Sequence, residues 1–156
     1  MNGSDHESVR MLAEQMGLFL EQVGWPRMSG RVLGWMLLAD EQEISLDELA
    51  DSLGVSKASV SGATRLLEQL GAIERVPRCG TRKAYYRLAD DVWGRLIAME
   101  KRISDTFIGF ADLAHDRLER KPERDARLAE MKRAFSLYSE MLGQLIARWQ
   151  EEKKSQ

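Results

Sequence analysis

The 156-residue chain is poor in the residues that build metal sites and disulfides. It contains one cysteine, Cys79, and two histidines, His6 and His115. A single thiol cannot form an intrachain disulfide, and these three residues do not have the spacing of a zinc site. Nor does the sequence show a phosphate-binding loop or a set of nucleophile, base and carboxylate. We therefore expect no metal, no cofactor and no enzymatic activity.

The sequence also lacks a hydrophobic run long enough to cross a membrane. The longest run, around residues 32–39, is interrupted by Gly34 and falls far short of the roughly 20 apolar residues that a membrane helix needs. Residues 1–10 are polar and acidic, without the apolar segment of a secretory signal. These absences predict a cytoplasmic protein that does not contact the membrane.

Proline is rare, with three residues in the chain, and Leu, Met, Glu, Arg and Ala are abundant, which favours helices. A first helix, with a capping box at Ser4 and Glu7, is expected to end near Gly24. Its apolar stripe is Val9, Leu12, Met16, Phe19 and Val23. Two long helices follow Asp90 and Pro122. The last one carries the apolar residues Leu128, Met131, Phe135, Tyr138, Leu142, Leu145 and Trp149 at three-four spacing. Each is about 40 Å long, more than one small domain needs, so a partner is expected.

The most informative stretch is residues 49–61. Ala50, Gly54 and Val60 provide a small residue, a turn residue and a returning apolar residue, with the spacing of a helix-turn-helix. Capping residues precede both helices, Ser45 with Glu48 for the first and Ser56 for the second. Residues 73–76 and 84–88 then form a predicted β-hairpin around a basic tip at 77–83. The pattern predicts a mainly α fold with a small hairpin: a winged helix-turn-helix flanked by long terminal helices.

The net charge of −2 conceals a strong local bias. Residues 55–88 carry a net charge of +5, and the rest of the chain carries −7. Residues 40–53 contain six acidic residues and no cation. Because DNA phosphates attract the first surface and repel the second, we predict that the second helix and the wing face DNA and that the acidic helix is angled away.

Individual DNA contacts follow from this orientation. The N-terminal part of the second helix enters the major groove, and a basic wing tip suits the narrow minor groove. Gly62 either permits a close approach to DNA or is a tolerated helix glycine, and Arg78 either contacts a phosphate or has no ligand. The predicted DNA-binding residues are Lys57, Ser59, Ser61, Gly62, Arg65, Arg78, Arg82 and Lys83.

The order of these elements resembles the MarR family of bacterial transcription regulators. Residues 23–38 and 63–67 are similar to its GbsR/MarR branch, which includes mycobacterial efflux-pump repressors. The resemblance covers nearly the whole chain. It implies a homodimer that is held by the terminal helices, binds a near-palindromic double-stranded operator, and is usually a repressor released by an apolar ligand. One departure concerns the wing tip. Many members carry Asp-x-Arg there, whereas this chain has Thr81, Arg82 and Lys83, so the anchoring carboxylate is missing.

The resemblance further implies an effector cavity where the dimerisation helices meet the DNA-binding lobe. It would be lined by Trp25, Met28, Arg31, Trp35, Trp93 and Phe107. As Met and aromatic residues at helical spacing, most of these are equally ordinary core residues, and Arg31 is expected to pair with the acidic helix at 40–53. Cys79 is either an incidental exposed thiol or, between two arginines, a redox sensor.

The predicted division is an N-terminal dimerisation helix at 1–24, a DNA-binding lobe at 25–89 and C-terminal dimerisation helices at 90–156. The alternative function is a protein-interaction module that uses a winged-helix fold without reading DNA. The basic segment disfavours this alternative, and a monomeric protein would favour it.

Overall fold

The computed structural model describes residues 3–155, which form helices and one small sheet. The chain separates into two compact units, between Val92 and Trp93. In chain order the elements are α1 (Gly3–Gln22), α2 (Arg27–Leu38), β1 (Ile44–Ser45), α3 (Leu46–Leu53), α4 (Lys57–Gln69), β2 (Ile73–Val76), β3 (Tyr85–Leu88), α5 (Val92–Arg117) and α6 (Pro122–Lys154). The prediction of a mainly α fold with a basic hairpin and long terminal helices is confirmed.

Helices α1 and α2 pack closely through small residues. A Cβ atom built on Gly30 would lie 2.7 Å from the Cα of Gly17 and 2.8 Å from the carbonyl oxygen of Met16. One built on Gly34 would lie 3.0 Å from the Cα of Ala13. Ala13 and Gly17 are the buried residues of α1. Glycine at these positions therefore lets the two backbones approach each other.

This packing leaves much of the predicted apolar stripe of α1 facing outward. Leu12 is 53% exposed, Phe19 60% and Val23 70%. The predicted capping box at Ser4 is wrong, because Ser4 lies inside α1 and its carbonyl oxygen accepts a hydrogen bond from Ser8 Oγ at 3.0 Å. Hydrophobic spacing thus identified the helix but not the face that packs against α2.

The core of the first unit joins α2 to the helix-turn-helix and the sheet. Its fully buried side chains include Val32, Trp35, Leu49, Leu53, Val60, Leu67 and Ile73. The sheet has the antiparallel order β1-β3-β2, in which Tyr86 of β3 pairs with Ile44 on one side and Arg75 on the other. The hairpin was predicted. Strand β1 was not, because two residues are too few to show an alternating pattern.

In the second unit α5 and α6 run antiparallel. The rings of Phe107 and Phe135 stack with centroids 4.3 Å apart, and Ser139 Oγ donates a hydrogen bond to Asp105 Oδ1 at 2.6 Å. Hydrogen bonds from Lys101 and Ser139 hold the pKa of Asp105 below its usual value. The predicted stripe of α6 is covered only in part, since Leu142 is buried whereas Tyr138 and Leu145 are exposed. None of the helices within residues 3–155 combines the length and apolar character that crossing a membrane requires.

Candidate nucleic-acid interface

The helix-turn-helix is fixed by local backbone chemistry. Ser45 and Glu48 form a reciprocal capping box at the start of α3. Helix α3 ends at Gly54, whose φ of +64° lies in the left-handed region that glycine adopts without steric cost. Ser56 Oγ then accepts a hydrogen bond from the Ser59 backbone N–H and caps α4. These caps, predicted from the sequence, set the direction in which α4 leaves the turn.

A network from α1 and α2 supports the same turn. Arg31 Nη2 donates a hydrogen bond to the carbonyl oxygen of Leu53 at 2.8 Å, and Arg31 Nε lies 2.8 Å from Glu14 Oε2. The Arg10 guanidinium covers Gly54, with Nη2 2.5 Å from where a Cβ atom would stand. The expected salt bridge between Arg31 and the acidic helix is therefore wrong, because the carboxylate partner of Arg31 is Glu14 of α1 and its bond to Leu53 is to a backbone carbonyl.

Helix α4 presents a polar face to solvent. Lys57, Ser59, Gly62 and Arg65 are exposed, and Ser61 is half-buried. No atom of the described residues lies within 4 Å of a Cβ atom built on Gly62, so their packing does not require glycine there. Thr64 of the same helix is buried, 1% exposed, and its hydroxyl donates to the carbonyl oxygen of Ser61.

The wing is formed by β2, β3 and the loop between them. Arg78, Arg82 and Lys83 are exposed on this loop. The Arg78 guanidinium lies over the Tyr85 ring, 4.0 Å from its centroid, and the Lys83 backbone N–H donates to Thr81 Oγ1 at 3.1 Å. Cys79 is also exposed here and is a free thiol.

The acidic segment at 40–53 contacts the basic surface, which composition alone did not predict. Glu43 pairs with Arg78 at 2.7 Å, and Asp47 pairs with Lys57 at 2.6 Å and with Lys83 at 3.6 Å. Its hydrogen bond with Lys57 holds the pKa of Asp47 below the usual value, and the same contact raises the pKa of Lys57. Hydrogen bonding with Glu43 raises the pKa of Arg78. Three of the predicted DNA-binding cations are thus already paired.

The other cations of this surface differ in their pairing. Arg87 pairs with Glu74 at 3.1 Å, and this hydrogen bond raises the pKa of Arg87. Within the described part of the chain, no ion pair involves Arg65, Arg75 or Arg82. Arg65 and Arg82 therefore present unneutralised charge on α4 and on the wing.

The residues predicted for an effector belong to both units. In the first unit Trp25 and Met28 are half-buried, and Trp35 is 1% exposed, with a buried indole N–H that finds no hydrogen-bond partner among residues 3–155. In the second unit Trp93 and Phe107 are exposed. Arg31 is occupied by Glu14 and by the carbonyl oxygen of Leu53.

A capped helix-turn-helix with an exposed basic second helix, followed by a basic hairpin, defines a winged helix-turn-helix DNA-binding protein. Residues 23–83 match the model of the MarR family. The chain is 31% identical over 143 residues to the HTH-type transcriptional regulator MmpR5 of Mycobacterium tuberculosis, an alignment that covers 88% of this chain and 84% of that protein. The chain belongs to the MarR family and is a DNA-binding transcription regulator, as the sequence predicted.

Two further similarities agree with this assignment. The HTH-type transcriptional repressor OpcR of Bacillus subtilis is 28% identical over 96 residues, covering 62% of this chain and 49% of that protein. A solved structure, described as a transcriptional regulator, is 28% identical and aligns with a TM-score of 0.75. That alignment covers 92% of this chain and 99% of the other.

Proposed function

We propose that this protein is a homodimeric repressor that binds an inverted-repeat operator with α4 in the major groove and the wing in the minor groove. The observation that carries the proposal is the positive charge of Arg65 and Arg82, with which no carboxylate of residues 3–155 pairs, on the two elements that a winged helix places against DNA. Repression is supported by the similarity to OpcR, a protein named as a repressor. A two-fold dimer would place half-sites about 10 bp apart between centres.

The proposed contacts on α4 are made by its exposed polar side chains, with Arg65 and Lys57 binding phosphates or base edges and Ser59 and Ser61 forming hydrogen bonds. On the wing, Arg82 and Lys83 enter the minor groove, and Arg78 contacts phosphate. Gly62 allows the α4 backbone to approach the duplex, because no side chain stands between them.

The DNA contacts are tested by mobility shift of the DNA that flanks the protein's own gene, measured over a salt series. Replacing Arg65→Ala together with Arg82→Ala should weaken binding and reduce the slope of log K against log salt by about 0.9 for each phosphate that the protein no longer neutralises. The matched control is Arg127→Ala with Arg133→Ala, two exposed arginines of α6 that form no ion pair within residues 3–155. Undiminished binding by the first pair would contradict the proposed interface.

Dimerisation is supported by apolar surface that each unit leaves uncovered. The outward side of α1 contributes Met11, Leu12 and Phe19, and Val23 follows in the next turn. The second unit contributes Phe110, Leu113, Leu137 and Met141, among others. Leu12 and Phe19, seven residues apart, lie on the same side of α1, and exposed apolar surface of this kind is typical of interaction sites. Replacing Leu12→Glu together with Phe19→Glu should yield a monomer by light scattering and abolish operator binding. The exposed polar residue Gln42, which lies outside α1 and the second unit, provides the control Gln42→Glu, which should remain dimeric.

Release by an apolar effector is the remaining part of the proposal. Its support is the family membership and the Met and aromatic side chains that each unit carries by itself, Trp25, Met28 and Trp35 in the first unit and Trp93 and Phe107 in the second. Because Glu14 already neutralises Arg31, we leave Arg31 out of the effector site and assign it the role of supporting the turn. A crystal structure of protein purified from its own host tests the proposal. Ligand density beside these apolar side chains is expected, and density at a site that contains none of them would contradict it.

A further inference from the structure

One carboxylate contacts both DNA-binding elements. Asp47, in the first turn of α3, has Oδ1 2.6 Å from Lys57 Nζ at the start of α4 and Oδ2 3.6 Å from Lys83 Nζ on the wing. These lysines are 26 residues apart in sequence and belong to different elements. The two oxygens of Asp47 therefore contact one cation of α4 and one cation of the wing, the elements that also carry Arg65 and Arg82.

The pairs formed by Asp47 are reversible in water. The side chains of Lys57 and Lys83 are 65% and 58% exposed, and that of Asp47 is 34% exposed. Ion pairs this exposed are weak and are screened by salt, so a DNA phosphate can displace them. A lysine bound to Asp47 must leave that carboxylate, or share it, before it neutralises a phosphate.

We infer that Asp47 is an intramolecular competitor for the DNA phosphates, which holds Lys57 and Lys83 in the free protein and so weakens binding to any duplex. The inference rests on the proposed DNA contacts of these two lysines. Because phosphate contacts supply nearly all of the affinity for non-specific DNA, the competition acts regardless of sequence. Arg65 and Arg82 have no such competitor within the described residues.

The test is the affinity of the full chain for a fluorescently labelled duplex of random sequence. Asp47→Asn should tighten binding by about fivefold for each helix-turn-helix that contacts the duplex. This is the gain expected when two weakly paired surface cations are freed. The gain should shrink as salt rises, because the pairs are screened. Asp51→Asn is the matched control. Asp51 lies one turn further along α3 and forms no ion pair within the described chain, so this substitution removes the same charge without freeing a lysine. Its gain in DNA affinity should be clearly smaller.

Removing the lysines distinguishes competition from a change in net charge. In a Lys57→Gln and Lys83→Gln background, Asp47→Asn should give no gain, because nothing is left for the carboxylate to hold. Asp47→Glu keeps the charge and should bind like the unmodified protein. Weaker binding by Asp47→Asn, a gain equal to that of Asp51→Asn, or a gain that persists without the lysines would each overturn the inference. Unmodified protein that binds no duplex would instead overturn the proposed interface.

A second measurement needs no variant and so does not depend on whether Asp47→Asn folds. The side-chain ammonium resonances of Lys57 and Lys83 and the carboxyl carbon resonance of Asp47 can be followed by NMR as the random duplex is added. All three should move together as the lysines leave the carboxylate. An Asp47 resonance that stays in place while DNA binds would show that the pairs persist, and would overturn the inference.

Discussion

The close crossing of α1 and α2 gives a prediction whose magnitude follows from distances. In Gly30→Ala the added methyl group would stand 2.7 Å from the Gly17 Cα, 2.8 Å from the Met16 carbonyl oxygen and 3.1 Å from the Gly17 nitrogen. All three are backbone atoms, which cannot rotate away. Overpacking costs typically 1–3 kcal/mol, and this contact falls at the upper end, while alanine gains about 1 kcal/mol over glycine inside a helix. We expect a net loss of about 2 kcal/mol in the free energy of unfolding.

The assay is urea unfolding followed by circular dichroism at one fixed protein concentration, since dimerisation would make stability depend on concentration. Gly62→Ala is the control, because it makes the same change in a helix where the new methyl group has no neighbour within 4 Å in the described part of the chain. It should stabilise the protein by about 1 kcal/mol. It should also weaken DNA binding, because the methyl group would occupy the space between α4 and the duplex. A Gly30→Ala protein as stable as the unmodified one would refute the reasoning.

Three further predictions concern the helix-turn-helix. Ser45→Ala removes the side chain that caps α3 and should lower stability by about 1 kcal/mol in thermal unfolding, and an unchanged melting temperature would contradict it. Hydrogen bonds from Ser45 hold the pKa of Glu48 below its usual value, so the stabilising contribution of that carboxylate is present above its unfolded pKa and lost as pH falls through the folded pKa. Glu48→Gln should therefore flatten the loss of stability below about pH 5 in acid titrations, and a loss as steep as in the unmodified protein would contradict this. Arg31→Gln gives up the charged hydrogen bond to the Leu53 carbonyl oxygen and should cost about 2 kcal/mol in urea unfolding. Arg31→Lys should not restore that stability, because one ammonium cannot reproduce the fork of a guanidinium.

The parts of the fold that could be predicted are those encoded by residues close together in sequence. Ala50, Gly54 and Val60 lie within one helix-turn-helix, and the Ser45 and Glu48 cap spans a single turn. Turn chemistry and capping act over a few residues, so the sequence pattern is sufficient to identify them.

The parts that could not be predicted depend on which surfaces meet in the folded chain. Hydrophobic spacing marked Leu12 and Phe19 as the packed side of α1, whereas the contact with α2 is made by Ala13 and Gly17, which carry too little side chain to register in such a pattern. At the DNA interface, composition separated an acidic segment from a basic one. The ion pairs of Asp47 with Lys57 on α4 and with Lys83 on the wing depend on tertiary structure, so no pattern in the sequence indicates them.

The contacts of α1 with the helix-turn-helix determine how small a folding fragment can be. Glu14 pairs with Arg31, and the same guanidinium donates a hydrogen bond to the carbonyl oxygen of Leu53, the last residue of α3. Arg10 covers Gly54, the glycine of the turn. A fragment that begins at residue 25 would contain every element named for DNA binding, yet it would leave Arg31 without its carboxylate and expose the glycine-lined face of α2. The minimal DNA-binding fragment of this regulator therefore begins with its first helix.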